Sequence, residues 1–283
     1  MSLAARREAQ FESYPVSGYV WPLRAFTAAE AEAARLRFME HWNRYIGRFE
    51  DSLPRERIWL TIDTHLALPW VCDLALHPVV LDAVEQVLGP DVLVWNTHWF
   101  PKFPGDRSYV SWHQDATYWG LRPPLVTTAW IALSPSTREN GCLQVLPGSH
   151  LGELMPQTET YAADNMLSRG QEIAVEIDPA RTLALELEPG EFSLHHIGIA
   201  HGSGPNNSDT PRIGLAVRYI APQVEQAGPH RDVAMLARGE DRHGHFELVL
   251  PPTREWGLDE ESPQRRSLQR KLDNNATRGS TPK

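Results

Sequence analysis

Cysteine is scarce in this sequence, with only Cys72 and Cys142 among 283 residues. Two cysteines are too few for a disulfide framework or a thiolate zinc site, and they suit a reducing cytoplasm. The sequence also lacks any apolar run approaching about 18 residues, and its first residues contain no apolar signal core. We therefore expect a cytoplasmic protein without a membrane partner.

Basic residues are fewer than acidic residues in this sequence. The chain has 27 Lys and Arg residues against 36 Asp and Glu residues, which gives a formal net charge of −9 at pH 7. Such a surface repels phosphate backbones, so a nucleic-acid partner is not expected. The hydrophobic fraction of 41% and the charged fraction of 22% are those of an ordinary globular protein. A small-molecule substrate is the expected partner.

The sequence before residue 90 predicts helices. Thr27 and Glu30 have the spacing of a capping box, with Thr27 as the N-cap, so a helix should follow and run to about residue 45. Two shorter helices are predicted at 69–77 and 78–88. Each of them begins with a proline, and the second ends at Gly89.

After residue 91 the pattern changes to short apolar segments separated by turns rich in Gly, Pro and Asn. This pattern predicts a mainly β fold with flanking helices, a sandwich or barrel of the jelly-roll kind. An entry strand is predicted from residue 18. The other predicted strands cover residues 92–100, 109–114, 126–133, 142–146, 182–187, 191–196 and 213–220.

The sequence contains no internal repeat and no interdomain linker, so we expect one domain over residues 1–253. Its helical part should cover about 27–90 and its jelly-roll core about 91–222. Residues 254–283 form a polar C-terminal tail, and we expect residues 274–283 to be disordered.

The middle of the chain carries a pattern that is typical of a metal site. The sequence at 112–115 is Trp-His-Gln-Asp, so His113 and Asp115 are two residues apart and would point to the same face of a strand. They would supply two of the three ligands of a 2-His-1-carboxylate iron site. An isolated H-x-D pattern is more often a core histidine beside a turn-capping aspartate, so a second signal is needed.

That second signal lies at residues 201–212, which read His-Gly-Ser-Gly-Pro-Asn-Asn-Ser-Asp-Thr-Pro-Arg. His201 follows a predicted strand and can supply the second imidazole, while Arg212 opens the next strand and can return beside it through a hairpin. A buried guanidinium needs an anionic partner, and the distal carboxylate of 2-oxoglutarate suits it. The alternative is an exposed hairpin arginine, with His201 as a turn residue.

Together these residues resemble the phytanoyl-CoA dioxygenase family of Fe(II)- and 2-oxoglutarate-dependent oxygenases. The resemblance covers about residues 15–250. It is carried by HQD at 113–115, ENGCLQVLPGSH at 139–150, HGSGPN at 201–206 and Arg212. It implies a double-stranded β-helix, the cupin-like jelly roll, and a hydroxylase that uses Fe(II), 2-oxoglutarate and O2 and releases succinate and CO2.

The resemblance also implies roles for individual residues. His113, Asp115 and His201 match the iron ligands. Related aliphatic halogenases lack the carboxylate ligand, which leaves room for chloride, so the presence of Asp115 implies hydroxylation instead. The positions that hold or line 2-oxoglutarate are matched by Arg212, Ser203 and Trp130.

Other polar residues are candidates for the cofactor or the substrate, each with a structural alternative. Asn96 is expected to contact the cofactor. His98 shares its strand face and is equally well explained as a core histidine. The candidates for substrate contact are His98, Thr117, Tyr118, Asn165, Arg169 and Arg218, and those interpreted as structural are His195, His196, His243 and His245. Asn165 and Arg169 lie in a long connection of the kind that often covers an active site.

The expected function is hydroxylation of a small polar metabolite, such as an amino acid, an aminophosphonate or a secondary metabolite. An acidic chain offers no evident basic entrance for coenzyme A. The alternative is a non-oxidative, cupin-like metal-binding or isomerising protein on the same barrel, and Arg212 as a clamp for 2-oxoglutarate distinguishes the two.

Overall fold

The structure of the protein, a computed structural model, describes residues 3–48, 55–167, 169–255 and 262–279. Strands outnumber helices in these ranges, so the fold is mainly β with additional helices, as the sequence predicts. Within the same ranges, no helix is both long and apolar enough to cross a membrane.

Most of the α-helices precede residue 90. Their bounds are α1 Leu3–Ser17, α2 Ala28–His41, α3 Pro69–Ala75, α4 Pro78–Leu88, α5 Ala116–Trp119 and α6 Pro263–Gly279. The predicted capping box is present at α2, where the Thr27 hydroxyl accepts from the Glu30 backbone N–H and the Glu30 carboxylate accepts from the Thr27 backbone N–H. A π-helical turn, Trp42–Ile46, follows α2 and ends at Gly47.

The strands are short. Their bounds are β1 Tyr19–Arg24, β2 Val92–Trp99, β3 Val110–His113, β4 Leu121–Arg122, β5 Val126–Ala132, β6 Leu143–Val145, β7 Gln157–Glu159, β8 Gln171–Ile173, β9 Leu183–Leu185, β10 Glu191–His196, β11 His201–Ser203, β12 Gly214–Ile220, β13 Glu225–Gln226, β14 Val233–Arg238 and β15 Glu247–Leu248. They form a seven-stranded sheet in the order β1-β10-β5-β12-β2-β14-β15 and a four-stranded sheet in the order β3-β11-β6-β9. Two further sheets, β13-β4 and β7-β8, have two strands each.

Contacts divide the chain into two compact units. The first consists of Met1–Leu53, Phe100–Thr117 and Trp130–Leu215. It contains the four-stranded sheet, in which β11 pairs antiparallel with both β3 and β6. A cluster of buried apolar side chains, Leu146, Ile173 and Ala200, packs against the partly buried Trp112, Met155 and Ile177.

The second unit consists of Pro54–Trp99, Tyr118–Ala129 and Ala216–Lys283. In it, β14 pairs antiparallel with β2 and parallel with β15. Helix α6 is attached through polar side chains: the Ser267 hydroxyl and the Lys271 ammonium both donate to the buried carboxylate of Asp63, each at 2.7 Å.

This helix corrects the expectation for the C-terminal residues. Disorder was expected from residue 274, but α6 continues through Gly279 and Asn274 is buried. The Asn274 amide donates to Asp232 at 3.0 Å and to Gln226 at 2.6 Å. The expectation for residues 280–283 lies outside the described residues.

Candidate metal and anion site

The two candidate histidines face each other on neighbouring strands. Strand β11 pairs antiparallel with β3, and His201 is the register partner of His113. Their ring centroids are 4.1 Å apart, and both side chains are buried. His201 is the first residue of β11, so the prediction that it only follows a strand is corrected: strand pairing itself places it opposite His113.

A backbone carbonyl fixes the orientation of each imidazole. His113 Nδ1 lies 2.9 Å from the Ser111 oxygen, and His201 Nδ1 lies 3.0 Å from the Ile199 oxygen. Because a carbonyl oxygen only accepts hydrogen bonds, Nδ1 carries the proton in each neutral ring. Nε2 therefore presents its lone pair, which is the arrangement that metal-binding histidines adopt.

Asp115 completes the group. Its two carboxylate oxygens lie 3.3 Å from His113 Nε2 and 3.9 Å from His201 Nε2. One ligand atom from each of the three residues can be chosen so that all lie within 4.8 Å of one another. The strand explanation for this spacing was wrong, because β3 ends at His113 and Asp115 lies in the turn before α5. The turn is held by a 3.0 Å bond from the Ala116 N–H to the Ile197 carbonyl.

Gln114 links the segment that carries His113 and Asp115 to the turn that precedes His201. Its side chain is buried and donates to the Gly198 carbonyl at 2.7 Å, in the turn before His201. Its amide oxygen accepts from the Met155 N–H at 2.7 Å. No role is predicted for Gln114 from the sequence, although its position between two candidate ligands is a signal that could have indicated one.

The remaining histidines lie outside this group. His195 is buried with its ring centroid 4.9 Å from that of His201, yet among the described residues only His113, Asp115 and His201 form a cluster suited to a metal. His243 and His245 stack on each other with centroids 5.6 Å apart.

Arg212 is buried in the same unit. One terminal nitrogen donates to the Ser203 hydroxyl at 3.0 Å and to the Gly141 carbonyl, and the other donates to the Phe100 carbonyl at 2.9 Å. Its Nε has no hydrogen-bond partner among the described residues, and its guanidinium carbon lies 5.2 Å from the Trp130 ring centroid. Burial lowers the pKa of Arg212 to about 10, so it remains charged at neutral pH.

Lys102 is a second buried basic residue, and no role is predicted for it from the sequence. Lys102 lies between β2 and β3 and forms an antiparallel bridge with Arg212. Arg212 was predicted to open the next strand, but it precedes β12, which begins at Gly214. Its ammonium donates to the Ser203 hydroxyl at 2.5 Å, to the Ser203 carbonyl at 3.2 Å and to the Gly204 carbonyl. Burial, and next the Arg212 charge, lowers the pKa of Lys102 to about 6.

Three other predicted residues of the first unit form hydrogen bonds or ion pairs within the protein. The exposed Thr117 lies in α5 and accepts from Gln157 at 2.7 Å. The Asn165 amide donates to the Ser111 hydroxyl at 2.8 Å and accepts from the Leu167 N–H. Arg169 forms an ion pair with Glu159 at 2.9 Å.

The second unit holds the other predicted residues. Arg218 donates to the Asn96 amide oxygen at 2.7 Å, and the Asn96 amide donates to Asp63 at 2.7 Å. The Arg218 guanidinium lies over the Trp119 ring, 5.1 Å from its centroid. Burial, and next the Arg218 charge, lowers the pKa of His98 to about 3, so its imidazole is neutral at physiological pH. Tyr118 is half-buried in α5.

The chain is similar to a known protein family and to solved structures. The family model described as phytanoyl-CoA dioxygenase (PhyH) matches residues 14–214. The solved structure of the non-heme monooxygenase ThoJ in its apo form is 33% identical, with a TM-score of 0.79, and the match covers 95% of this chain and 98% of that one. Its nickel complex is 31% identical, with a TM-score of 0.76 and coverage of 95% and 99%.

Two curated relatives are similar over shorter stretches. Phytanoyl-CoA dioxygenase, peroxisomal, from Homo sapiens is 32% identical over 150 residues, which cover 51% of this chain and 44% of the relative. A probable alpha-ketoglutarate-dependent hypophosphite dioxygenase from Stutzerimonas stutzeri is 30% identical over 159 residues, with coverage of 56% and 55%. The chain thus spans about half the length of the curated relatives that it matches.

Proposed function

The chain belongs to the phytanoyl-CoA dioxygenase (PhyH) family, and we propose that it is an Fe(II)- and 2-oxoglutarate-dependent dioxygenase that hydroxylates an unactivated C–H bond of a small polar metabolite. One observation carries this proposal: the group of His113, Asp115 and His201 and the buried Arg212 occur in one compact unit. The three metal ligands alone would suit many cupin-like proteins, whereas a buried cation in the same unit can bind the carboxylate of a cosubstrate.

The donor set fits Fe(II). Two imidazole nitrogens and one carboxylate oxygen form the facial triad of non-haem iron enzymes and leave three adjacent positions of an octahedral ion open. His113 and His201 would be held in the correct tautomer by Ser111 and Ile199 before the ion arrives. The Asp115 carboxylate would fill the position that halogenases give to chloride, which supports hydroxylation.

The residues around Arg212 fit 2-oxoglutarate. Arg212 would hold the C5 carboxylate with its guanidinium, whose buried Nε has no partner in the part of the chain that the structure describes. Ser203 lies within hydrogen-bond distance of Arg212, and Trp130 packs against the guanidinium face. The bound Fe(II), with 2-oxoglutarate, would supply the oxidising power drawn from O2, with succinate and CO2 as products. Asn96 stays a predicted cofactor residue.

We also propose that the fold is a double-stranded β-helix within an oxygenase domain of residues 1–253, followed by a C-terminal segment. The seven-stranded and four-stranded sheets are the support for this architecture. A cytoplasmic location and the absence of a nucleic-acid partner stay predictions.

The proposed substrate is an amino acid, an aminophosphonate or a secondary metabolite. The net charge of −9 is the main support, because coenzyme A thioesters need a basic entrance. His98, Thr117, Tyr118, Asn165, Arg169 and Arg218 stay predicted substrate residues. Arg169 would have to exchange its ion pair with Glu159 for a substrate anion.

Two measurements test the proposed function. Under anaerobic conditions, titrating 2-oxoglutarate into the Fe(II)-loaded protein should produce a metal-to-cofactor charge-transfer band. Succinate release should then be measured across a panel of small acids, amines and phosphonates in the presence of O2. A protein that produces no band and releases no succinate with any member of the panel would refute the oxygenase proposal.

A further inference from the structure

Lys102 has an unusual environment for a lysine. Its side chain is fully buried, and its backbone exchanges hydrogen bonds with that of Arg212 in both directions, at 2.8 and 2.9 Å. Residues that are directly opposite across an antiparallel bridge project to the same side. The bridge therefore brings two long basic side chains to one place.

Both basic side chains bind the same hydroxyl group. Ser203 Oγ accepts from Lys102 at 2.5 Å and from Arg212 at 3.0 Å, and it donates to the Gly141 carbonyl at 2.6 Å. A hydroxyl has one proton and two acceptor positions, so these three bonds use all of them. The orientation of the Ser203 side chain thus depends on Lys102 as well as on Arg212.

No carboxylate among the described residues pairs directly with Lys102 or Arg212. The charged or titratable groups that act on Lys102 are Arg212 beside it, Asp106 in its own loop and Cys142 before β6. Protonating Lys102 beside the Arg212 charge is therefore unfavourable, and an anion bound between these segments would relieve the repulsion.

We propose that Lys102 is a positioning residue of the cosubstrate site, which fixes Ser203 beside Arg212 and takes up a proton when the 2-oxoglutarate dianion binds. This inference rests on the proposed function, since the anion is the proposed cosubstrate. A neutral amine has two N–H donors for the three oxygens around Lys102 Nζ, whereas the ammonium has three. Proton uptake therefore completes the hydrogen bonding of the segment that carries Ser203.

The direction of the pH dependence follows from the environment. The pKa of Lys102, lowered to about 6 by burial and Arg212, makes the side chain mostly neutral at pH 7.5 in the free protein. A carboxylate at Arg212 favours the ammonium and raises the pKa of Lys102. The affinity for 2-oxoglutarate then declines as the pH rises above about 6, by up to tenfold per pH unit. The decline ends when the pH passes the raised pKa of Lys102 in the complex.

Calorimetry measures this proton directly. 2-Oxoglutarate is titrated into the Mn(II)-loaded full chain at pH 7.5 in phosphate and in Tris, whose ionisation enthalpies differ. We expect the wild type to take up about one proton per bound 2-oxoglutarate. Lys102→Met should take up close to none and bind roughly tenfold more weakly, with an affinity that no longer changes between pH 6 and 8. Arg107→Met is the matched control, because Arg107 is exposed, and it should behave as the wild type.

The possible outcomes separate this inference from the proposed function. Binding by the wild type without net proton uptake overturns the role of Lys102 and leaves the oxygenase proposal intact. Uptake that persists in Lys102→Met assigns the proton to another group and also overturns it. If Lys102→Met does not fold, the two-buffer experiment and the pH profile of the wild type decide. A wild type that does not bind 2-oxoglutarate refutes the proposed function itself.

Discussion

Gly214 leaves the space that the Trp130 indole occupies. A Cβ on residue 214 would lie 2.0 Å from Cζ2 of Trp130, far closer than two carbon atoms can approach. The same indole lies against the Arg212 guanidinium. Gly214, at the start of β12, therefore determines where the Trp130 ring can lie beside the buried Arg212.

Gly214→Ala should displace Trp130 and disturb Arg212. Inserting a methyl group into a packed interior costs about 1–3 kcal/mol, so the melting temperature should fall and the Kd for 2-oxoglutarate should rise. Gly152→Ala is the control, because no atom lies within 4 Å of its added Cβ and its φ is −93°. Scanning calorimetry and 2-oxoglutarate titration check both variants. Equal behaviour of the two would mean that the Trp130 position is unimportant.

Arg212→Ala should raise the apparent Kd for 2-oxoglutarate by about 150-fold or more. Removing one partner of a buried charge-assisted pair costs about 3–5 kcal/mol, which corresponds to that factor. Arg212→Lys should recover only part of the loss, because an ammonium lacks the planar pair of N–H donors. The charge-transfer titration measures it, and the exposed Arg181→Ala serves as control. An unchanged midpoint in Arg212→Ala would show that the cosubstrate is held elsewhere.

Asp115→Gly should abolish hydroxylation and weaken binding of the divalent ion, since it removes the anionic ligand. A working halogenase is not expected from this single change. Metal content after dialysis and succinate release are the two readouts. Asp209→Ala, at an exposed aspartate of the same unit, should leave both unchanged. Hydroxylation near the wild-type rate in Asp115→Gly would contradict the ligand assignment.

Lys271→Met should destabilise the second unit. Burial raises the pKa of Asp63. The positive charge of Lys271, the neighbouring His65 and the hydrogen bonds from Lys271 and Ser267 outweigh burial and hold this pKa below its usual value. Breaking a buried pair at one partner costs about 3–5 kcal/mol at neutral pH. The wild-type contribution is present above about pH 4 and is lost as the pH falls through the lowered pKa, so the two proteins should converge in acid.

Urea unfolding followed at pH 7 and in acid measures this difference. Gln269→Met is the control on the same helix, since Gln269 is exposed and bonds only to the neighbouring Asp273 among its described contacts. A Lys271→Met protein with the wild-type midpoint at pH 7 would show that α6 is held by other contacts.

Local signals accounted for much of the fold. The capping box at Thr27 and the prolines that begin α3 and α4 act within one helical turn, so they are visible without tertiary information. Helix α6 was missed because the contacts that attach it are polar. Ser267 and Lys271 donate to the Asp63 carboxylate, and such contacts produce no apolar periodicity in the sequence.

The site was predicted in part for the wrong reason. The H-x-D spacing identified Asp115, but a turn places its carboxylate, and a strand does not. Lys102 escaped notice because a single lysine after a strand is usually exposed, and its burial depends on a bridge to Arg212, which is distant in sequence. Such long-range pairings are set by tertiary packing and leave no local pattern.

The pairing of His113 with His201 has a consequence for the order of events during folding. The two residues are separated by a long stretch of chain, and closing so large a loop carries an entropic cost. The unfolded chain offers only the local pair His113 and Asp115. The complete ligand set forms when β11 pairs with β3, so formation of this strand pair and tight binding of a divalent ion stabilise each other.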